Sequence, residues 1–186
     1  MIAKFLAPAA VTGLLLSAMV GAAPAAAQAA LASDSSFIAT AGSLGLLQEK
    51  LGKMAQDKGS SASVKDFGKR MVDEYSQANQ KLAAGAKQAA YPSPVMLRQH
   101  REILNRFSNM GRSSFDKKYM AEMVNEHGDA VRLFQEEAKE GRVASLKQLA
   151  SSLLPTVQQH LALATQTAGS VGADVTASAT RERQGS

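Results

Sequence analysis

The segment FDKKYMAEMVNEHGDAVRLFQEEAK, Phe115 to Lys139, leaves this chain little choice of fold. Met120, Met123, Val124, His127, Val131 and Phe134 recur at three- and four-residue steps and so share one stripe of a 3.6-period helix. Such a stripe is buried only against other elements, and three further segments carry stripes of the same kind. In the first, Ser33-Asp34-Ser35-Ser36 supplies N-cap chemistry for a helix bearing Phe37, Ala41, Leu44, Gln48, Leu51 and Ala55 on one face, which stops at Lys58-Gly59. In the second, Ser63 and Asp66 suggest a capping box ahead of Val64, Phe67, Met71, Tyr75, Ala78 and Leu82, running to about Gln88. The connection between these two is short enough to make them antiparallel neighbours.

Tyr91-Pro92-Ser93-Pro94 then breaks the helix, because each proline lacks an amide donor and drives its predecessor toward extended backbone. From Pro94 to about Gly111 the pattern predicts a short crossover helix with Met96, Ile103 and Phe107 inward and His100, between Arg98 and Arg101, on the surface. The central helix is expected to start at Ser113 or Ser114, with Asp116 completing another capping box, and to stop at Gly141. The last helix carries Leu146, Leu149, Leu153, Val157, His160 and Ala164 on one stripe, with a kink expected at Pro155. No β-period run competes, so the expected fold is all-α: an antiparallel four-helix bundle with a long crossover containing a short extra helix.

The two ends read differently. Lys4, the apolar run from Phe5 to Val20 and the Ala-rich stretch at 24–30 compose a secretory signal peptide, assigned to residues 1–29, with cleavage after Ala27 or Ala29. The chain is therefore expected in the periplasm or at the outer membrane as a peripheral protein, with no transmembrane segment after the leader. The bundle is assigned to residues 33–168 and a disordered tail to 169–186, where GSVGADVTASATRERQGS shows no apolar periodicity. Cysteine is absent, which excludes disulfides, thiolate metal sites and cysteine nucleophiles. The net charge of +5 is scattered and aromatic residues are few, so nucleic acid is not expected as a partner. No serine sits in a nucleophile-elbow or S-x-x-K context, and no phosphate-binding Gly-rich loop occurs.

Gln48, Tyr75, His127 and His160 fall on the apolar stripes of four different helices, and a buried polar side chain without a partner costs about 1–3 kcal/mol. They can be accounted for as a hydrogen-bonded polar layer or as a divalent-metal site, iron or zinc, in the bundle core. The layer is favoured, because the only nearby carboxylates, Glu49, Glu74 and Glu126, each lie one residue off a stripe. For the metal alternative the candidate ligands are His127, His160, Glu126 and Glu74.

The blocks LGKMAQDKGSSASVKDFGKRMVDEYSQANQKL at 51–82, FDKKYMAEMVNEHGDAVRLF at 115–134 and LLPTVQQHLALA at 153–164 together resemble the domain-of-unknown-function family DUF4142. That resemblance covers about residues 33–168 and implies an exported bacterial protein with a ferritin-like four-helix fold. The family pattern has a glutamate where Gln48 stands, an Asp-His pair where Glu74-Tyr75 stands, and histidines matching His127 and His160. An amide and a phenol are poorer metal ligands than the carboxylate and imidazole they replace. The expectation is a non-enzymatic structural or interaction module of unknown partner and no cofactor; the alternative is a ferritin-like metal-binding or redox protein with a partly degenerate site.

Overall fold

The computed structural model describes residues 25–175. Among them are five α-helices and no strand: α1 (Ala25–Lys58), α2 (Ala62–Gln88), α3 (Arg98–Ser108), α4 (Arg112–Glu140) and α5 (Ala144–Ser170). α1 pairs lengthwise with α2 and α4 with α5, while α1 also packs on α4 and α2 on α5. The ends that meet give the directions. The start of α2 touches the start of α4 through Asp116, and Asp34 near the start of α1 touches the α4–α5 turn. Each helix is thus antiparallel to both of its neighbours, and the crossover joins α2 to α4 across the bundle diagonal. α3 lies along α1 within that crossover.

The predicted stripes are the core. Phe37, Ala41, Leu44, Leu51 and Ala55 of α1, Val64, Phe67, Met71 and Leu82 of α2, Met120, Met123 and Phe134 of α4, and Leu146, Leu153, Val157 and Ala164 of α5 are all buried. α1 and α2 approach most closely at a glycine seam. A Cβ on Gly68 would stand 2.7 Å from both the Gly52 carbonyl oxygen and the Ala55 Cβ, so only glycine lets the two backbones meet there.

Capping departs from expectation in an informative way. α1 is continuous from Ala25, through both expected cleavage positions, so Ser33-Asp34-Ser35-Ser36 lies inside a helix rather than at its start. Asp34 instead crosses to the α4–α5 turn and accepts the amides of Arg142 and Val143 at 3.0 and 2.9 Å. Asp116 likewise does not cap its own helix. Its carboxylate accepts the amides of Ser60 and Ser61, at 3.0 and 2.8 Å, and so caps α2 from α4. The residue preceding α2 is Ser61, which makes no side-chain cap, so the Ser63–Asp66 box does not form. In each case a carboxylate accepts the amides just ahead of another helix, tying two elements together with the bond that a local cap would have spent on one.

α2 and α5 end alike. Tyr91 N donates to Ala86 O and Ala90 N to Lys87 O, as Ala173 N donates to Ala168 O and Gly172 N to Gly169 O. Both motifs place a residue in the left-handed region; it is Gly172 (φ 63°) after α5 but Ala90 (φ 59°) after α2. α5 passes through Pro155 and stays helical to Ser170, and Val171, Ala173 and Val175 pack against the core, so the folded unit extends past residue 168. Residues 1–24 of the expected leader and 176–186 of the expected tail lie outside the described residues. No helix among the described residues is long and apolar enough to cross a membrane.

Candidate functional site

Three of the four residues of the expected polar layer meet at mid-bundle. The rings of Tyr75 (α2), His127 (α4) and His160 (α5) lie mutually 5.3–5.9 Å apart between centroids, the two imidazoles edge to face at 5.5 Å. All three side chains are buried.

Helical geometry fixes the tautomer of His127. Its Nδ1 lies 2.8 Å from the carbonyl oxygen of Met123, one turn back on the same helix, and can only donate to it. Nε2 is then a bare acceptor, and the Tyr75 hydroxyl donates to it at 3.1 Å. Both nitrogens are spent. Burial, with His160 adding to it, pushes the His127 pKa down to about 3 against the opposing pull of the Met123 carbonyl, so the ring is neutral at physiological pH. Burial also raises the Tyr75 phenol far above its ordinary value, with Glu126 and Glu74 adding to it. Tyr75 is a donor here and not an anionic ligand.

His160 is held from the other side. Its Nε2 stands 2.6 Å from Glu74 Oε2, and Arg70 Nε takes the second carboxylate oxygen at 2.7 Å, one turn earlier on α2. Burial lowers the His160 pKa despite the neighbouring carboxylate, which leaves a neutral ring donating Nε2–H to Glu74. Burial works to raise Glu74, but the hydrogen bonds and charges of His160 and Arg70 outweigh it and hold the carboxyl below its ordinary value. A chain of donors thus runs from Arg70 and His160 into Glu74, beside a second one from Tyr75 through His127 to Met123. His160 Nδ1 has no hydrogen-bond partner, and a cavity of about 20 Å³ bordered by His160, Tyr75 and Leu153 has room for about one water.

The remaining candidates fall elsewhere. Gln48 is buried as its stripe requires, but neither amide atom has a hydrogen-bond partner, so it takes no part in the layer's bonding. The Glu126 carboxylate lies 3.7 Å from Nε2 of His100, in a second polar cluster that includes a residue expected on the surface.

That expectation is corrected: His100 is only 4 % exposed. Ser43, buried on α1, accepts the Leu97 amide at 2.7 Å and meets His100 Nδ1 at 2.5 Å. The Ser43 hydroxyl thus links the Leu97 amide to the His100 ring, whose Nε2 points toward Glu126. Ser43 therefore pins the start of the crossover helix to α1. At the other end of α3, the Lys58 ammonium donates to the carbonyls of Phe107, Ser108 and Met110 at 2.6–3.1 Å. The signal for His100 was present in the spacing of Met96, His100, Ile103 and Phe107, which is one helical stripe.

Among the described residues no three of His, Asp and Glu are grouped so as to hold a metal ion. His127 and His160 are close, but Met123 and Tyr75 engage both nitrogens of His127 and Glu74 engages Nε2 of His160, which leaves His160 Nδ1 as the one unpartnered imidazole nitrogen of the pair. As arranged here, a single free imidazole nitrogen does not compose a divalent-ion ligand set among the described residues.

Fold and site together define an all-α bundle with two buried histidines, one hydrogen-bonded to Tyr75 and the other to Glu74. The chain belongs to the family described as Domain of unknown function (DUF4142), whose pattern it matches over residues 20–167. No curated protein and no solved structure matches it.

Proposed function

We propose that this chain is an exported, envelope-associated bundle of ferritin-like topology that works as a non-enzymatic structural or interaction module, its histidine layer serving to fix helix register. The observation that carries this is the Tyr75–His127 hydrogen bond. A metal ion would need Nε2 of His127, and the phenol that holds it is neutral, buried and unable to act as an anion. The leader-like composition of residues 1–29 supports export. The diagonal α2-to-α4 crossover supports the ferritin-like description.

A second reading, a ferritin-like iron or zinc site, draws on the orphaned atoms: His160 Nδ1 and both amide atoms of Gln48 are buried without partners. Metal analysis of the purified chain, with thermal-shift titration by zinc and iron(II), separates the two. The structural reading expects no stoichiometric metal and no rise in Tm with the logarithm of metal concentration; a saturable rise overturns it. Tyr75→His is the companion variant, because it sets a third imidazole between two others already 5.5 Å apart and frees Nε2 of His127. It is expected to gain zinc-dependent stabilisation that the parent lacks.

A further inference from the structure

At the end of the bundle where α4 turns into α5, two carboxyl groups are buried together. Asp34 is fully buried and receives the amides of Arg142 and Val143, the two residues just ahead of α5. Glu137, on the last turn of α4, is 2 % exposed, and neither of its oxygens has a hydrogen-bond partner. Gly141 makes room for it, since a Cβ there would stand 2.6 Å from Glu137 Oε1.

The groups around Glu137 can be named element by element. Asp34 faces it from α1, Lys147 from α5 and Tyr91 from the α2–α3 linker, and Glu136 stands beside it on α4. Lys147 supplies the opposing positive charge, but its ammonium is committed to the Lys139 carbonyl at 2.8 Å. The field at Glu137 is therefore dominated by negative neighbours. A protonated Glu137 can donate its O–H to Asp34, whereas two carboxylates there can only repel.

We propose that Asp34 and Glu137 form a proton-operated latch: one proton between the two carboxyl groups holds α1, at Asp34, against the α4–α5 turn, and its loss loosens that end of the bundle. The latch closes over the apolar cluster of Phe37, Ile38, Phe134 and Leu146, which is what opening uncovers. Burial first, and then the Asp34 carboxylate, push Glu137 up to about 7, so the switch operates around neutral pH. The folded-state value lies above the ordinary 4.5, so the proton's contribution is complete below about 4.5 and is lost as pH rises through about 7.

The test follows the Glu137 side-chain carboxyl carbon by NMR across this range, together with hydrogen exchange of the Arg142 and Val143 amides, in the wild-type chain and in Glu137→Gln. Glutamine keeps an N–H that can donate to Asp34 and removes the titration. The wild type is expected to show a carboxyl transition near pH 7 and a loss of Val143 protection beyond the intrinsic base-catalysed rise, and Glu137→Gln only the intrinsic rise. A Glu137 transition near the ordinary carboxylate value, or identical exchange profiles in the two proteins, overturns the latch. So does saturable protection by calcium or magnesium at high pH in the wild type alone, which would make the pair a cation site. If the glutamine variant does not fold, the wild-type titration decides by itself.

Discussion

Removing one oxygen from each of two tyrosines should move stability in opposite directions. Tyr75 and Tyr119 are both buried in the same cluster, yet the Tyr75 hydroxyl donates to His127 while the Tyr119 hydroxyl has no hydrogen-bond partner. Tyr75→Phe keeps the ring against both imidazoles and strands Nε2 of His127, a buried acceptor that cannot turn away because Nδ1 is held by Met123. Leaving such a group unsatisfied costs about 1–3 kcal/mol. For a domain of this size that is a fall in Tm of about 3–9 °C. Tyr119→Phe removes an unpartnered phenol from between Phe67, Phe107 and Phe115 without altering the rings' packing. It should be neutral or stabilise by about 1 kcal/mol, since the desolvation of the hydroxyl is relieved and no partner is stranded. Urea unfolding of the two variants beside the parent gives both signs in one experiment. A Tyr75→Phe variant as stable as the parent, or a Tyr119→Phe variant destabilised as much as Tyr75→Phe, would refute the assignment of hydrogen bonds on which the layer rests.

Ala90→Gly should stabilise by about 1 kcal/mol, because the left-handed conformation costs an L-residue roughly that much; calorimetric melting checks it. Gly68→Ala should destabilise by about 1–3 kcal/mol despite alanine's better helix propensity, since its Cβ meets backbone at 2.7 Å, and an equally stable variant would deny the glycine seam. Asp116→Ala should cost about 1–2 kcal/mol and raise exchange at the Ser60 and Ser61 amides in particular. As pH falls, stability should decline from about 6.5 downward, because His100, His127 and His160 are all held below their ordinary value, so the unfolded chain takes up protons first. Denaturant titration at a series of pH values reads this, and His127→Gln should flatten the acid side.

The four helices were legible because burial follows period: the residues at three- and four-residue steps are the ones that pack. The layer was legible for the same reason, as a polar side chain on an apolar stripe must be inside. What the stripe could not reveal is direction. Gln48 and Tyr75 have equal claims from spacing, yet only Tyr75 reaches an imidazole, and Glu74 reaches His160 from one position off its stripe by virtue of a long side chain steered by Arg70. The caps failed as predictions because Asp34 and Asp116 have the chemistry of local caps, and the chain uses that chemistry between helices. Nothing local distinguishes the two uses. His100 was misplaced because the flanking arginines suggested solvent, although its own spacing from Met96 and Phe107 pointed inward.

The central claim is that hydrogen bonds engage both nitrogens of His127, through Met123 and Tyr75. The most direct measurement is the long-range ¹H–¹⁵N spectrum of the histidine side chains, recorded from neutral to acid pH and again with stoichiometric zinc. The account predicts that His127 is neutral and protonated on Nδ1, remains so until the pH falls toward about 3 or the protein unfolds, and is unmoved by zinc. A His127 that titrates near 6.5, carries its proton on Nε2, or shifts its Nε2 resonance when zinc is added would contradict it.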